Sequence, residues 1–157
     1  MRLDPKADNI CFGCGGANAR GMQLTFEQDD EARRIRGRFR LGPEYQGGSG
    51  FAHGGIIAVL LDEAMGKANL FRGAHAVTAE LNVEYLKPVP VDQEIVVGGW
   101  EVEKKGRNSF HQGEIRNVSG ELLARGKARF VEIDPQRHYQ RNSQKDKAAE
   151  AIDAPKV

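Results

Sequence analysis

Cysteine is scarce, with two residues in 157, and the aromatic share is only 7%. Two cysteines cannot build a disulfide scaffold, and in a reducing compartment they are expected to be thiols. Excess charge of one sign is also missing: 23 Lys+Arg face 22 Asp+Glu, a net charge of +1. The chain therefore has no overall field to steer nucleic acid or anionic lipid, and neither is expected as a partner. No apolar run approaches the roughly 18 residues of a membrane span, and the start, Met1-Arg2-Leu3-Asp4-Pro5, has no apolar segment of a secretory signal. The cytoplasm is the default expectation. The length suits one domain with a single core and leaves no room for a second.

Glycine is plentiful, 19 residues, clustered at 13–16 and 47–55 and otherwise single between alternating segments, where it reads as turn punctuation. The pattern predicts an irregular segment over 1–21, a folded domain over 22–133 and a polar tail or frayed helix over 134–157. Strands are expected at about 22–28 and 32–41, joined by the turn Asp29-Asp30-Glu31. From about Gly55 to Phe71 the chain is apolar nearly all round, which predicts one long buried helix. Strands at about 75–87, 93–104, 107–117 and 121–133 follow, read as an antiparallel meander. In the first of them Val77, Ala79, Leu81, Val83 and Tyr85 are expected on the packed face, opposite Thr78, Glu80, Asn82 and Glu84. In the last, Leu122, Ala124, Gly126, Ala128 and Phe130 share a face, opposite Arg125, Lys127 and Arg129. The simplest architecture is α+β, a curved antiparallel sheet around one helix.

The most informative stretch, Gln46-Gly47-Gly48-Ser49-Gly50-Phe51-Ala52-His53-Gly54-Gly55, runs straight into that helix. Its glycines allow close backbone approach, and a helix start offers unpaired N–H groups with partial positive charge, a place for an oxyanion. The plainer alternative is a tight entry turn in which His53 caps or packs. Asp62 and Glu63 are adjacent acids among Leu60, Leu61, Ala64 and Met65. A charge there costs several kcal/mol unless paired or kept for chemistry. Neighbouring helical residues diverge by about 100°, so the two acids have different surroundings. Glu63 reads as the partner of a basic side chain, and Asp62 as the functional acid. Asp62 returns nearly to the azimuth of Gly55 but lies about 10 Å further along the axis. One chain cannot bring both to the same carbonyl, whereas two antiparallel copies can, so a catalytic site implies a dimer.

These residues resemble the hotdog-fold acyl-CoA thioesterases of the phenylacetate-degradation type, which include the human thioesterase superfamily members. The resemblance spans roughly residues 10–132 and rests on Tyr45-Gln46-Gly47, Gly50, His53-Gly54-Gly55 and Leu61-Asp62-Glu63-Ala64-Met65-Gly66. Val77-Thr78, Asn82, Tyr85, Leu86, Pro88, Gly106-Arg107 and Gly120-Glu121-Leu122-Leu123-Ala124 agree with the later strands. It implies a hotdog fold, an antiparallel sheet wrapped around one long helix, in homodimers that pair into dimers of dimers, hydrolysing an acyl-CoA. By position, Gly55 and Gly54 supply the N–H groups that polarise the thioester carbonyl. Asp62 of the partner chain attacks or activates water, Thr78 orients that water, and His53 positions the thioester. Some members carry Asn six residues before the histidine, where this chain has Gly47, so Gln46 is the candidate substitute.

A thioester is already activated, so carbonyl polarisation and one carboxylate suffice without metal, cofactor or Ser-His-Asp triad. CoA is part of the substrate. Apolar neighbours are expected to raise the pKa of Asp62. Non-catalytic binding of acyl-CoA or an acyl carrier on the same scaffold remains open. A dehydratase reading fits less well, because it needs a His and acid pair at another spacing. The phosphates of CoA need cations, and Lys104, Lys105, Arg107 and Asn108 at a hairpin tip are the candidates. Phe51, Met65, Leu70 and Phe71 are candidates for lining the acyl tunnel. Arg34, Arg36, Arg38 and Arg40 form a stripe expected to be neutralised by Glu80, Glu84 or the acidic turn. Cys11-Phe12-Gly13-Cys14-Gly15 has the shape of half a zinc knuckle. A structural zinc takes four ligands and no second cysteine pair exists, so it reads as a tight turn, with a metal or disulfide shared across subunits as the lesser alternative.

Overall fold

The apolar run forms α1 (Gly54–Lys67), continued by a 3₁₀ stretch, Ala68–Arg72, that ends at Gly73 in the left-handed region. This computed structural model describes residues 1–137. Around the helix runs a seven-stranded sheet of β1 (Arg2–Leu3), β2 (Phe26–Asp29), β3 (Arg34–Arg40), β4 (Ala76–Tyr85), β5 (Glu94–Lys105), β6 (Asn108–Asn117) and β7 (Leu122–Glu132). The order is β1-β2-β3-β5-β6-β7-β4, antiparallel throughout. The architecture is the hotdog fold expected from the sequence. The tail expected over 134–157 falls, from His138 on, outside the described residues.

Four strand-level expectations need correction. The last four strands are not a meander, because β4 pairs with β7 at the far edge while β5 returns to pair with β3. The link through Pro88-Val89-Pro90 is a crossover. Its prolines have no N–H for a ladder, Val89 is buried, and its carbonyl accepts the Ala52 N–H at 2.8 Å. The first residues are not irregular, since Arg2 and Leu3 pair with Glu27 and Phe26. In β4 the register slips between Thr78 and Glu80, so Ala79 bulges and the alternation changes phase. Leu81 and Val83 pack on the core as expected, but Val77 is exposed and Thr78 faces the helix. Glu80 and Glu84 pair with Arg129 and Arg125 rather than with the stripe on β3. There Arg38 meets Glu94 at 2.8 Å and Arg34 lies over the Trp100 ring.

The helix packs directly on the sheet over three strand glycines whose common role no single strand pattern revealed. Gly99, Gly113 and Gly126 are direct partners across β5, β6 and β7 and form a row without side chains. A Cβ at Gly99 would lie 2.4 Å from the Ala64 carbonyl carbon, and one at Gly113 or Gly126 would lie 3.0 Å from the Met65 side chain. Ile57, Leu60, Leu61, Ala64 and Met65 are thus buried against the sheet, and Met65 is core rather than tunnel lining. The packing fixes the rotation of α1. Asp62 and Glu63 are left on its flank, half-buried.

Candidate active site

His53 is the last extended residue before α1, and its Nδ1 accepts the Gly55 N–H at 2.9 Å, so the imidazole caps the helix. The capping expectation for this position therefore holds, and the cap engages the donor expected to face an oxyanion. Gly54 is the first helical residue, whose N–H the helix cannot satisfy, and no acceptor meets it among the described residues. Its carbonyl accepts from the Tyr85 hydroxyl at 3.0 Å, a contact that ties the helix start to β4. Gln46 braces the loop, its Oε1 accepting the Gly50 N–H at 2.8 Å, with Gly50 in the left-handed region at φ 79°. Gly47 lies against His53, where a Cβ would come within 2.9 Å of the His53 Cα. A larger residue at 47 would press on the cap.

Further along the helix, the Thr78 hydroxyl donates to Asp62 Oδ1 at 2.8 Å. Burial raises the pKa of Asp62 above the ordinary carboxylate value, the Thr78 hydrogen bond pulls it down, and the Glu63 charge adds to the rise. The result is a more basic carboxylate with one oxygen committed to a hydroxyl. It opens on a cavity of about 710 Å³ walled by Asp62, Thr78, Gly66, Leu70, Ala76 and Phe130. Of the other tunnel candidates, Phe51 is exposed and Phe71 is covered by Arg33. The protomer thus holds two clusters, His53 with Gly54 and Gly55, and Asp62 with Thr78, separated by about 10 Å of helix rise.

The hairpin-tip cations are mostly occupied. Lys104 pairs with Glu132 at 3.2 Å, and the Arg107 guanidinium donates to the Glu132 carbonyl at 2.7 and 3.1 Å. Asn108 Oδ1 accepts from Arg129. Among the described residues Lys105 forms an ion pair only with its near neighbour Glu103, and it is exposed.

Glu63 does pair with a basic side chain, Lys67, at 3.8 Å, yet it also accepts from the Cys11 thiol at 3.2 Å. Burial, joined by a hydrogen bond to Glu63 and its charge, pushes the Cys14 thiol up to about 12. The Cys11–Glu63 contact spans 52 residues, and no local pattern in the sequence signals it.

A family model described as Thioesterase superfamily matches residues 49–124, from the glycine-rich loop into β7. These residues belong to the thioesterase superfamily. Bovine acyl-coenzyme A thioesterase THEM4 is 31% identical over 143 residues, covering 86% of this chain and 59% of the relative. The mouse THEM4 enzyme is 33% identical over 118 residues, 74% of this chain and 51% of the relative. The chain thus spans just over half the length of these curated relatives. Among solved structures, a thioesterase superfamily protein matches with TM-score 0.73 and 30% identity, over 78% of this chain and 60% of that one. A Bacillus halodurans protein solved with CoA matches with TM-score 0.63 and 29% identity, over 71% and 75%.

Sequence reading singled out His53, Gly54, Gly55, Asp62 and Thr78, which the fold groups in two clusters, but missed Tyr85 as the tie at Gly54 and the cysteines as neighbours of Glu63. Tyr85 had a signal available, a tyrosine ending the strand that follows the helix. The cysteines had none.

Proposed function

We propose that the protein hydrolyses an acyl-CoA thioester at two equivalent sites in a homodimer. The helix start of one copy polarises the carbonyl, and Asp62 of the second copy acts as general base toward water. Gly54 N–H is open to the carbonyl oxygen, and Gly55 N–H joins it when the His53 ring turns away. Thr78 holds Asp62 Oδ1, so the other carboxylate oxygen takes the water proton. The tetrahedral oxyanion is stabilised at the amide end of α1 and collapses with departure of the CoA thiolate. The acyl chain lies in the cavity beside Asp62, and Lys105 is the hairpin-tip cation best placed to meet a CoA phosphate. Strand β4 supports the dimer: it is a ten-residue sheet edge with Val77 exposed and available for pairing with a second copy. Pairs of such dimers complete the expected assembly.

The observation that carries this reading is the Asp62–Thr78 pair, a half-buried carboxylate oriented by a hydroxyl on the wall of a cavity. One observation favours the alternative, non-catalytic binding of acyl-CoA or an acyl carrier: the Gly55 donor is occupied by His53. Thiol release from a panel of acyl-CoAs separates the two. Release that Asp62→Asn abolishes supports hydrolysis, and tight binding without turnover supports the alternative. A single turnover in ¹⁸O water tests the role of Asp62. Label in the product acid alone supports the base, and label in Asp62 would mean direct attack.

A further inference from the structure

The turn Cys11-Phe12-Gly13-Cys14-Gly15 does not stand alone in the fold. It lies against α1 so that Cys11 Sγ, Cys14 Sγ and a Glu63 carboxylate oxygen fall within 4.8 Å of one another. Cys11 Sγ and Glu63 Oε1 are 3.2 Å apart. Tetrahedral zinc, with bonds of about 2.3 Å to sulfur and about 2.1 Å to oxygen, sets sulfur and oxygen roughly 3.6 Å apart, so this pair needs only a small adjustment. We propose that Cys11, Cys14 and Glu63 form a zinc-type metal site that fastens the N-terminal segment to the central helix, with water from the adjoining cavity as fourth ligand.

Three features favour a metal over a simple thiol-to-carboxylate clasp. The turn is held from both sides by backbone, with Gly15 N–H on the Cys11 carbonyl at 2.9 Å, Met22 N–H on the Phe12 carbonyl at 2.8 Å and Leu24 N–H on the Gly13 carbonyl at 2.9 Å. Cys11 N–H is taken by Asn9 Oδ1 at 2.7 Å. The two sulfurs are therefore positioned before any ligand arrives, as a metal knuckle requires. Gly13 lies directly beneath the carboxylate, where a Cβ would meet Glu63 Oε1 at 2.3 Å. Only a residue without a side chain lets the acid descend between the sulfurs. The cavity of about 710 Å³ reaches Cys14, Glu63 and Lys67, which gives water access to the fourth position.

Charge closes as well. A dication with two thiolates and one carboxylate carries −1, and Lys67 sits 3.8 Å from the other Glu63 oxygen. Uptake releases the two thiol protons. The sequence alone could not show a third ligand, because Glu63 is remote from the turn in the chain.

The test is titration of the reduced, metal-stripped full chain with cobalt(II), followed by displacement with zinc(II). The expected result is one cobalt per chain, with a sulfur-to-cobalt charge-transfer band and the intense visible bands of tetrahedral coordination, all lost on adding zinc. Glu63→Gln, close in shape, should keep the charge-transfer band and alter the visible bands. It should also weaken zinc binding by at least the roughly 10–100-fold that loss of even an outer partner costs a metal site. Cys11→Ser with Cys14→Ser should remove all the bands. A reduced wild-type chain that gives no charge-transfer band, or binds cobalt equally well after the double serine change, overturns the proposal and leaves a hydrogen-bonded clasp.

Discussion

Thr78 reaches Asp62 across the helix–sheet interface at 2.8 Å because Ala79 bulges out of the strand between Thr78 and Glu80. With strict alternation, Thr78 would lie on the face opposite Leu81 and Val83, away from the helix. The bulge lets one strand present a hydroxyl to the acid and, beyond it, apolar side chains to the core. Removing the hydroxyl while keeping the shape, Thr78→Val, should cost roughly 10–100-fold in kcat, equivalent to the about 1.5–3 kcal/mol of a hydrogen bond to a charged group. Thr78→Ser should recover most of it. Steady-state kinetics with unchanged melting temperatures checks this, and an undiminished Thr78→Val rate counts against the pair.

The glycine row should be intolerant of even one methyl. Gly99→Ala would place its Cβ against the Ala64 backbone and is expected to destabilise by about 1–3 kcal/mol or more, since backbone cannot swing aside. For a chain of this size, each kcal/mol lowers the melting temperature by roughly 2–4 °C. Gly48→Ala, where a Cβ meets nothing within 4 Å, is the control and should be nearly neutral in thermal unfolding.

His111 makes stability depend on pH. It is 1% exposed, stacked edge-on with Phe130 at 4.9 Å, and burial together with the nearby Arg72 charge lowers its pKa to about 4. Glu101, 3.7 Å from Nε2, and the neighbouring Met65 carbonyl favour the protonated form but do not prevail. The unfolded chain takes up this proton below its usual 6.5, whereas the folded chain resists until about 4. Stability should therefore fall as pH drops through that window, by on the order of 3 kcal/mol in total. Urea midpoints measured between pH 7 and 4 check the slope, and His111→Leu should flatten it above the carboxylate range.

Replacing the cap should separate stability from chemistry. His53→Ala removes the acceptor for Gly55 N–H and is expected to cost about 1 kcal/mol of stability. Because it also frees that donor, kcat should fall less than tenfold, far less than with Asp62→Asn. A His53→Ala loss as deep as that of Asp62→Asn would give His53 a direct part in the reaction.

The parts of this molecule carried by local pattern could be read in advance. Continuous apolar character marked α1, and the 100° step between Asp62 and Glu63 separated an acid that meets Thr78 from one that meets Lys67. The glycine-rich entry marked the helix start. What escaped depends on partners distant in sequence. Gly99, Gly113 and Gly126 form a row only once three strands are in register. Ala79 breaks the strand period with no glycine or proline to announce it. Nothing local told β4 to cross to β7, and Glu63 meets Cys11 only through the folded N-terminal segment.

The central claim is that each site takes its donors from one chain and its base from another. Complementation between two inactive variants tests it most directly. Asp62→Asn removes the base, where general base catalysis contributes about 10²–10⁴-fold. Gly54→Pro removes the open amide donor at the first helical position, where the φ of proline fits. Unfolded, mixed in equal amounts and refolded, half the dimers should be hybrids with one of two sites intact, giving about a quarter of wild-type thiol release. A mixture no more active than its two components would place donors and base in the same chain and contradict the account.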